Sequence, residues 1–127
     1  MTRKNDQILG KGSFGVQRGV RILRIKGTPY ELGYQHGYYC AEGISVMVTT
    51  VLEATAGYIS AQTGWDPDIS ARMMREGMRL AEPYFPAPLR EEMEGIADGA
   101  RAAGIDIGLE EVMVWNTNYD QWCIYCH

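Results

Sequence analysis

The stretch that decides the fold is "GTPYELGYQHG", which runs from Gly27 to Gly37. Thr28 is a residue type that caps helices, and Pro29 suits the first helical position because its φ angle is already fixed near the helical value. Glu31 stands three residues after the cap and can accept a hydrogen bond from the cap amide, which completes a capping box. The stretch therefore predicts a helix that begins at Thr28.

A stripe of small residues follows the predicted helix start. Gly33, Gly37 and Ala41 are spaced four apart, so they share one face of the helix. Each glycine lowers helix stability by about 1 kcal/mol relative to alanine, which favours a compensating contact. We therefore expect another element to pack closely against the backbone there. The helix is predicted to continue to about Gln62, with Gly57 as the candidate break.

The segment before the helix divides into a predicted arm and a predicted strand. Residues 1–19 are polar and rich in glycine, which is typical of a flexible arm. Residues 20–27, "VRILRIKG", alternate apolar and basic side chains imperfectly and predict a half-buried strand that ends at Gly27. Within the arm, "LGKGSFGVQ" at residues 9–17 is similar to a kinase glycine-rich loop. The sequence contains no His-Arg-Asp or Asp-Phe-Gly segment, so we interpret it as arm.

Three further helices are predicted downstream. The first begins at an Asp-Pro pair and ends at a proline, residues 66–83, with Ile69 and Leu80 on its inner face. The second is "LREEMEGIADGARAAG", residues 89–104, where apolar residues repeat at helical spacing up to a terminal glycine. The third is "LEEVMVWN", residues 109–116. Apolar residues line one side of it.

The predicted inventory is about four helices and one strand, an α+β composition. A single strand leaves its backbone groups unsatisfied unless another strand accepts it. We therefore expect the strand at residues 20–27 to join a sheet that another polypeptide supplies.

Composition narrows the class of protein. The 127 residues are 46% hydrophobic and 22% charged, which is typical of a soluble globular domain. The net charge of -4 argues against a general attraction to nucleic acid. No apolar run approaching about 18 residues is apparent, so neither a secretory signal nor a membrane segment is predicted and the cytoplasm is the expected location. Three cysteines do not make a disulfide framework there.

The sequence ends in "WCIYCH", where Cys123, Cys126 and His127 have the Cys-x-x-Cys-His spacing of c-type haem attachment. A small haem electron carrier is therefore an alternative interpretation, although haem attachment needs export and no signal for it is recognised. Zinc would need a fourth ligand from a distant position. We interpret the cysteines as small buried apolar residues, and we expect no metal or cofactor.

Four other polar residues are candidates for chemistry. His36 and Cys40 lie one helical turn apart, which is a spacing that a base and a nucleophile can share. A position in the middle of a helix argues against a reactive cysteine, so we interpret His36 as a hydrogen-bonded structural residue. Glu110 and Glu111 are predicted to be solvated because the dipole at a helix start favours them.

Three stretches taken together resemble a known family. They are "RILRIKGTPYELGYQHG" at residues 21–37, "EEMEGIADGARAAGIDIGLEEV" at residues 91–112 and "WNTNYD" at residues 115–120. In order and rough spacing they resemble the N-terminal region of the peptidase C45 group. These are the acyl-coenzyme A:6-aminopenicillanate acyltransferase-like members of the N-terminal nucleophile hydrolases. The similarity covers about residues 20–120.

The resemblance implies a precursor, or zymogen, that cuts itself immediately before a cysteine. The freed cysteine then uses its own α-amino group as general base, and its thiol attacks an amide or thioester carbonyl to form an acyl-enzyme. The implied fold is an αββα sandwich in which residues 20–127 are the α-subunit portion and a companion β chain supplies the remainder. The implied protein is an αβ heterodimer that acts as an amide hydrolase or acyltransferase on a small-molecule acyl substrate.

The resemblance also assigns positions. In such proteins a segment like "WNTNYD" comes shortly before the nucleophile, which is usually followed by Ser or Thr. Cys123 is followed by Ile124 and Cys126 by His127, so neither fits. We therefore expect cleavage after His127 and no catalytic residue in this chain, with Cys126 or Cys123 as the fallback nucleophile. The candidates for the substrate pocket are Asn116, Tyr119, Asp120 and Trp122. A non-catalytic helical interaction module is a further alternative.

Overall fold

The computed structural model describes residues 3–118, which form a mostly helical α+β chain. The helices are numbered α1 to α6 in chain order, and the two strands are β1 and β2. Their bounds are α1 Arg3–Leu9, β1 Ser13–Gln17, β2 Val20–Arg24, α2 Pro29–Tyr39, α3 Ala41–Thr63, α4 Pro67–Ala81, α5 Ala87–Ala102 and α6 Leu109–Asn116, with a short 3-10 helix at Glu82–Tyr84.

The predicted capping box at the start of α2 is confirmed. The Glu31 amide donates to Thr28 Oγ1 at 3.3 Å, and the Thr28 amide donates to Glu31 Oε2 at 3.0 Å. Lys11 Nζ also donates to Glu31 Oε1 at 2.7 Å. The hydrogen bond from Lys11, with the one from Thr28, lowers the pKa of the Glu31 carboxyl below its ordinary value. The local sequence thus fixes where α2 begins.

The predicted long helix is interrupted at Cys40, and the expected break at Gly57 is wrong. Cys40 has φ -112° and ψ 19°, which lies outside the helical region, whereas Gly57 lies within α3. The interruption lasts one residue, because the Cys40 amide donates to His36 O at 3.0 Å and its carbonyl accepts from Ile44 at 2.9 Å. Cys40 therefore separates α2 from α3.

The strand predicted at residues 20–27 is present as β2, which ends earlier, at Arg24, but the expectation that it lacks a partner in the chain is wrong. β1 pairs with β2 antiparallel, from Ser13 opposite Arg24 to Gln17 opposite Val20. The connection places Arg18 at φ 51° and Gly19 at φ 78°. Positive φ at both central residues is the signature of the tight turn that favours hairpins. The kinase-like glycine stretch concealed β1 because its glycines favoured a loop interpretation.

Residues 3–17, expected to belong to a flexible arm, form α1 and β1. Ile8 and Leu9 at the end of α1 are buried and cluster with Tyr34 of α2. The hydroxyl of Tyr39 donates to Leu9 O at 3.3 Å. Two adjacent apolar residues therefore suffice to place this short helix against α2. The boundaries predicted between arm and domain stay a prediction.

The described residues divide into two compact units. Unit 1 comprises residues 3–44 and 86–109, and unit 2 comprises residues 45–85 and 110–118. In unit 1, α2 packs on α5, and the expected close contact at the glycine stripe is confirmed. A Cβ on Gly33 would overlap the Glu92 carbonyl, and one on Gly37 would overlap the Ile96 carbonyl. The contact is reciprocal, since Gly95 and Gly99 of α5 lie equally close to the backbone of α2.

Unit 2 is built from most of α3, α4 and α6, and its core is made of flexible and branched side chains. Ile59 is 0% exposed and Met74 is 2% exposed. A pair of hydroxyls joins α3 to α4, since Oγ of the half-buried Ser60 lies 2.7 Å from Oγ of the buried Ser70. The remaining buried apolar residues of this unit are Val48, Ala56, Met78, Val112, Met113 and Val114.

Helix α3 is long and apolar enough to cross a membrane when judged by length and composition alone. It has 23 residues, and an 18-residue window has a mean hydropathy of 1.3 with 22% of its residues buried. The sequence-based expectation overlooked this window because Glu42 and Glu53 interrupt the apolar run. Length and composition do not distinguish a spanning helix from an apolar helix of a soluble protein. The predicted location stays a prediction.

Candidate functional site

The predicted pocket residues lie at the end of α6 and beyond it. Asn116 is the last residue of α6, and its Nδ2 donates to Val112 O at 2.8 Å. Its amide therefore satisfies a carbonyl at the helix end, where carbonyls lack intrahelical partners. Thr117 does the same, because its Oγ1 donates to Val114 O at 3.0 Å. The other residues predicted to form the pocket or the processing site lie outside the described residues. They are Tyr119, Asp120, Trp122, Cys123, Cys126 and His127.

Helix α6 also forms one wall of a groove in unit 2, which we call the α3–α4–α6 groove. Its volume is 480 Å³. Helix α4, which forms another wall, begins at Pro67. The Asp66 side chain caps this helix start, because it accepts a hydrogen bond from the Asp68 amide at 2.9 Å. The groove is lined by Leu52, Glu53, Ala56, Gly57, Pro67, Asp68, Ala71, Met74, Arg75, Glu110, Glu111 and Val114.

Negative charge dominates the edge of the α3–α4–α6 groove. Its lining residues include four carboxylates and one guanidinium, a net formal charge of -4 + 1 = -3. Glu110 Oε1 lies 3.4 Å from Arg75 Nε, and Glu110 Oε2 lies 3.8 Å from an Arg79 nitrogen. All three side chains are about half exposed, so each pair contributes little stability. The Glu110 carboxylate is therefore shared between two guanidinium groups at the edge of the groove.

Sequence reasoning found the exposed position of Glu110 and Glu111 but missed the groove. The structure confirms that both are exposed. It places them in the lining of the same groove as Glu53 of α3 and Asp68 of α4. In the sequence, Glu53 lies 57 residues before Glu110, and Asp68 lies 42 residues before it. No local motif links residues on three separate helices. The sequence does show acidic residues in the first turns of α4 and α6, but this pattern does not indicate that the two helices line one groove.

A second groove lies in unit 1, between the hairpin, the junction of α2 and α3, and the end of α5. Its volume is 630 Å³. The ring of Phe14 stacks on Tyr39 with centroids 6.2 Å apart and planes inclined by 12°. Arg21 and Glu42 bring opposite charges to its wall. The other residues that line it are Leu23, Tyr38, Cys40, Ala41, Gly43, Ala103 and Ile105.

Cys40 faces this second groove, and the expectation that it sits in the middle of a helix is wrong. It is half-buried at the junction of α2 and α3. Burial raises the pKa of the Cys40 thiol above its ordinary value, and the nearby Arg21 opposes this shift only in part. A raised pKa keeps the sulfur protonated at neutral pH, and the neutral thiol is a poor nucleophile. The raised pKa of the thiol, and not a position within a helix, therefore argues against Cys40 as a catalytic nucleophile.

A polar cross-link joins α2 to α5 near the glycine contact. The hydroxyl of Tyr30 donates to Asp98 Oδ2 at 2.7 Å, and Arg101 forms an ion pair with the same carboxylate. Burial, and then the hydrogen bond to Asp98, raise the pKa of the Tyr30 phenol well above its ordinary value. Tyr30 therefore stays a neutral donor at any physiological pH. Its role is to hold the two helices together.

Residues 3–118 contain no group of three or more His, Cys, Asp or Glu side chains arranged to hold a metal ion. The carboxylates that line the α3–α4–α6 groove do not form such a group either. The haem and zinc alternatives depend on Cys123, Cys126 and His127, which lie outside that range. Both alternatives stay untested predictions.

Comparison with known proteins adds one relative. The chain is 38% identical, over 108 residues, to an uncharacterized protein of Archaeoglobus fulgidus. The matched region covers 80% of this chain and 17% of the relative, so the chain spans less than a fifth of the relative's length. No protein-family model matches the chain, and no solved structure matches it.

Proposed function

We propose that this chain is the α portion of a self-processed cysteine amide hydrolase or acyltransferase of the N-terminal nucleophile type. The nucleophile is the cysteine that processing frees, on the companion β portion of the same precursor. Its α-amino group takes the thiol proton, and the thiolate attacks the carbonyl carbon of an amide or thioester. The amine or thiol leaves, and water or an amine then accepts the acyl group from the enzyme.

The observation that carries the proposal is the exposed hairpin. All five residues of β1 are exposed, as are three of the five residues of β2. The apolar side chains of Val16 and Val20 are 63% and 62% exposed. Phe14 stacks on Tyr39, but most of the hairpin is exposed. A two-stranded hairpin with so little packing is marginally stable in water, and its outer edges offer unpaired backbone groups. Both features favour a place in a larger sheet, which the proposed sandwich provides.

Two further observations support a partner. Helix α3 has 22% of its most apolar window buried, so much of an apolar helix faces outward. Large exposed apolar surface on a soluble protein marks an interaction site. The archaeal relative is also far longer than this chain, since the match covers 17% of it. Both are expected of a segment that completes its fold with further polypeptide.

The α3–α4–α6 groove supplies a place for the substrate. Its volume falls within the range of about 300 to 1,000 Å³ that small-molecule pockets occupy. Helix α6 lines it with Val114 and then ends at Asn116, which stands three residues before Tyr119 in the sequence. In the proposed enzyme this groove holds the acyl group, and the segment from Tyr119 to His127 leads to the processing site.

A reagent that requires a free N-terminal cysteine tests the proposal. Cyanobenzothiazole dyes condense only with a cysteine whose amine and thiol are both free. The protein is expressed from a reading frame that includes this chain and everything that follows it, and is then labelled and separated under denaturing conditions. The proposal expects label on one fragment that lacks residues 3–118. An unlabelled single polypeptide would contradict it.

Two cysteine variants serve as matched controls. Cys40→Ser removes a thiol of this chain that the proposal leaves internal, so labelling persists. Cys126→Ala tests one of the fallback sites: labelling is lost if Cys126 itself is freed, and persists if cleavage follows His127 or precedes Cys123. Loss of label in both variants would indicate a folding defect, which circular dichroism would reveal.

A further inference from the structure

Basic residues are concentrated in and around the hairpin of unit 1. Residues 7–30 contain no acidic residue and five basic ones, namely Lys11, Arg18, Arg21, Arg24 and Lys26. All five are exposed. Lys11 pairs with Glu31, whereas none of the other four forms an ion pair with a residue in the described range 3–118. The hairpin therefore presents four cations that no carboxylate in this range neutralises.

These four charges belong to β2 and its flanks, and not to β1. Arg21 and Arg24 lie within β2, Arg18 lies in the turn before it, and Lys26 follows it. Strand β1 has no charged residue. Because Arg21 and Arg24 are three residues apart, they lie on opposite faces of their strand. A further strand along the outer edge of β2 would therefore meet a guanidinium on each of its faces.

The outer edge of β2 offers backbone groups to such a strand. The two-residue turn makes Gln17 and Val20 a hydrogen-bonded pair, and these pairs alternate with non-bonded ones along an antiparallel ladder. Arg21 and Leu23 therefore direct their amides and carbonyls away from β1. Within the described part of the chain, no group outside the hairpin donates to them or accepts from them.

Gln35 of α2 holds the base of the hairpin. It is 0% exposed, its Nε2 donates to Lys26 O at 2.7 Å, and its Oε1 accepts from the Lys26 amide at 3.0 Å. Gly12, which precedes β1, lies against the same side chain, since a Cβ on Gly12 would overlap Gln35 Oε1. The base of the hairpin is thus fixed to α2. A surface that is already fixed loses less entropy when it binds a partner.

We propose that the outer edge of β2 pairs with an extended polypeptide segment rich in acidic residues. The backbone of the segment satisfies Arg21 and Leu23, in the manner of a strand added to a sheet edge. Its carboxylates face the guanidinium groups of β2, because opposite charges on neighbouring strands are favourable and like charges are not. The segment is placed in the companion portion of the precursor, which rests on the proposed function. The pairing itself needs no self-cleavage.

Two other anionic partners match the hairpin less well. Residues 31–127 hold 15 of the 16 acidic residues and 5 of the 12 basic ones, a difference of 5 - 15 = -10, so most of the chain repels a long polyanion such as nucleic acid. A lipid surface attracts basic residues but supplies no strand to pair with the outward amides and carbonyls of β2. A short acidic segment satisfies both the charge and the edge.

Zero-length crosslinking identifies the segment. A carbodiimide couples a lysine amine to a carboxylate that touches it, so Arg24→Lys keeps the charge of β2 and adds a reactive amine. The variant is expressed from the whole reading frame, and the coupled peptides are identified by mass spectrometry. We expect position 24 to couple to a segment outside residues 1–127 that carries several acidic residues. Coupling confined to residues 1–127, or none, would overturn the proposal.

Gln17→Lys is the matched control on the other strand. Gln17 is exposed on β1, across the hairpin from the edge in question. A strand added about 4.8 Å from β2 lies about twice as far from β1, so coupling at position 17 should be at least about fivefold lower than at position 24. Equal coupling at the two positions would contradict pairing along β2.

Amide hydrogen exchange tests the backbone pairing. The amides of Arg21 and Leu23 should be protected in the native protein, and Arg21→Glu with Arg24→Glu should speed their exchange by about tenfold or more, because like charges then face the acidic segment. The amides of Val20 and Ile22 pair with β1 and should change little, which controls for unfolding of the hairpin. Rapid exchange at Arg21 and Leu23 in the native protein would overturn the proposal.

The same paired variant tests the other anions. If the native protein binds an oligonucleotide or phosphatidylglycerol vesicles and the variant does not, the surface belongs to that anion and the proposal is overturned. Failure of the cyanobenzothiazole test with coupling at position 24 would remove the proposed enzyme but leave the pairing. A labelled fragment without coupling at position 24 would leave the enzyme and remove the pairing.

Discussion

The two units bury their helices by opposite means. In unit 1, α2 and α5 meet at four glycines, and the backbone of each helix touches the backbone of the other. In unit 2, α3, α4 and α6 meet through side chains such as Ile59 and Met74, and they leave a groove of 480 Å³. The first arrangement excludes even one added methyl group. The second tolerates open space beside the helices.

This difference separates a scaffold from a candidate binding region. A backbone contact has few alternative packings because no side chain can change rotamer to relieve it. Methionine and other flexible side chains adapt to neighbours of different shape, which suits a surface that meets ligands. We therefore expect substitutions in unit 1 to affect stability most strongly, and substitutions around the groove of unit 2 to affect binding.

The largest expected effect breaks the glycine contact. Gly33→Ala with Gly37→Ala places two methyl groups against the carbonyls of Glu92 and Ile96. Overpacking costs about 1 to 3 kcal/mol per site, so the pair should cost about 2 to 6 kcal/mol of unfolding free energy, a range that reaches the whole stability of a small domain. Urea denaturation followed by circular dichroism measures the loss. A loss below about 1 kcal/mol would mean that the helices do not approach as described.

A matched pair of helical glycines in α3 provides the control. A Cβ on Gly43 or on Gly57 meets no neighbour within 4 Å. Gly43→Ala with Gly57→Ala should therefore increase the unfolding free energy by about 1 to 2 kcal/mol, because alanine favours the helix over glycine at each position. The opposite signs of the two pairs would demonstrate that space at the glycine, and not glycine as such, decides the outcome.

A smaller effect is expected from a cavity in unit 2. Ile59 of α3 is 0% exposed, and Ile59→Ala removes three carbons from its packed surroundings. The expected loss is about 3 kcal/mol of unfolding free energy, and flexible methionines nearby should reduce it by relaxing into the space. Denaturation with urea measures the total, and hydrogen exchange of the α4 amides measures the local opening. Unchanged exchange in α4 would contradict the described core.

The cross-link between α2 and α5 predicts a dependence on alkaline pH. Tyr30→Phe deletes the hydroxyl that donates to Asp98 and should cost about 1 kcal/mol at neutral pH. The folded pKa of Tyr30 is raised above the ordinary value of 10.0, so the neutral phenol stabilises the fold below about pH 10 and this contribution is lost as pH rises further. The variant should therefore lose less stability than the native protein between about pH 8 and pH 11.

The control for that pH dependence is Tyr84→Phe. Tyr84 is 85% exposed, so its hydroxyl is available to water in the folded chain. Its removal should leave the alkaline loss of stability as in the native protein. An identical alkaline profile for Tyr30→Phe and Tyr84→Phe would show that the bond to Asp98 contributes nothing to the stability of unit 1.

The smallest effects compare one helix cap in each unit. Thr28→Ala removes the cap of α2, and Asp66→Ala removes the cap of α4. Each should cost about 1 kcal/mol at neutral pH. The lowered pKa of Glu31 means that its part of the α2 cap is present above its ordinary pKa of 4.5 and is lost as pH falls through the folded value. Urea midpoints at neutral and acid pH test this, and an acid-insensitive cap at α2 would contradict the bonding of Glu31.

Local signals allowed the helices to be predicted, because each begins or ends with residues that act on their own neighbours. The capping box at Thr28 and the Asp-Pro start at residue 66 predicted where α2 and α4 begin. The spacing of Gly33 and Gly37 predicted a close contact but not that α5 supplies it. Leu80, expected on an inner face, is 78% exposed. Periodicity identifies an apolar face but not whether anything covers it.

The hairpin and the groove could not be predicted because each depends on residues brought together by the fold. β1 was hidden by its glycines, and its pairing with β2 depends on a tight turn at Arg18 and Gly19. The carboxylates of the groove come from three helices. The break at Cys40 follows no glycine or proline. The hairpin, the groove and the break at Cys40 therefore share one property, which is that no local sequence pattern predicts them.

The central claim is that this chain belongs to a precursor that cuts itself before a cysteine. An intact-mass spectrum of the denatured protein, purified from a host that expresses the whole reading frame, tests it most directly. We expect two species, one with the mass of residues 1–127 and a larger one that begins with cysteine. A single species with the mass of the uncut polypeptide, with or without the added mass of a porphyrin, would contradict it.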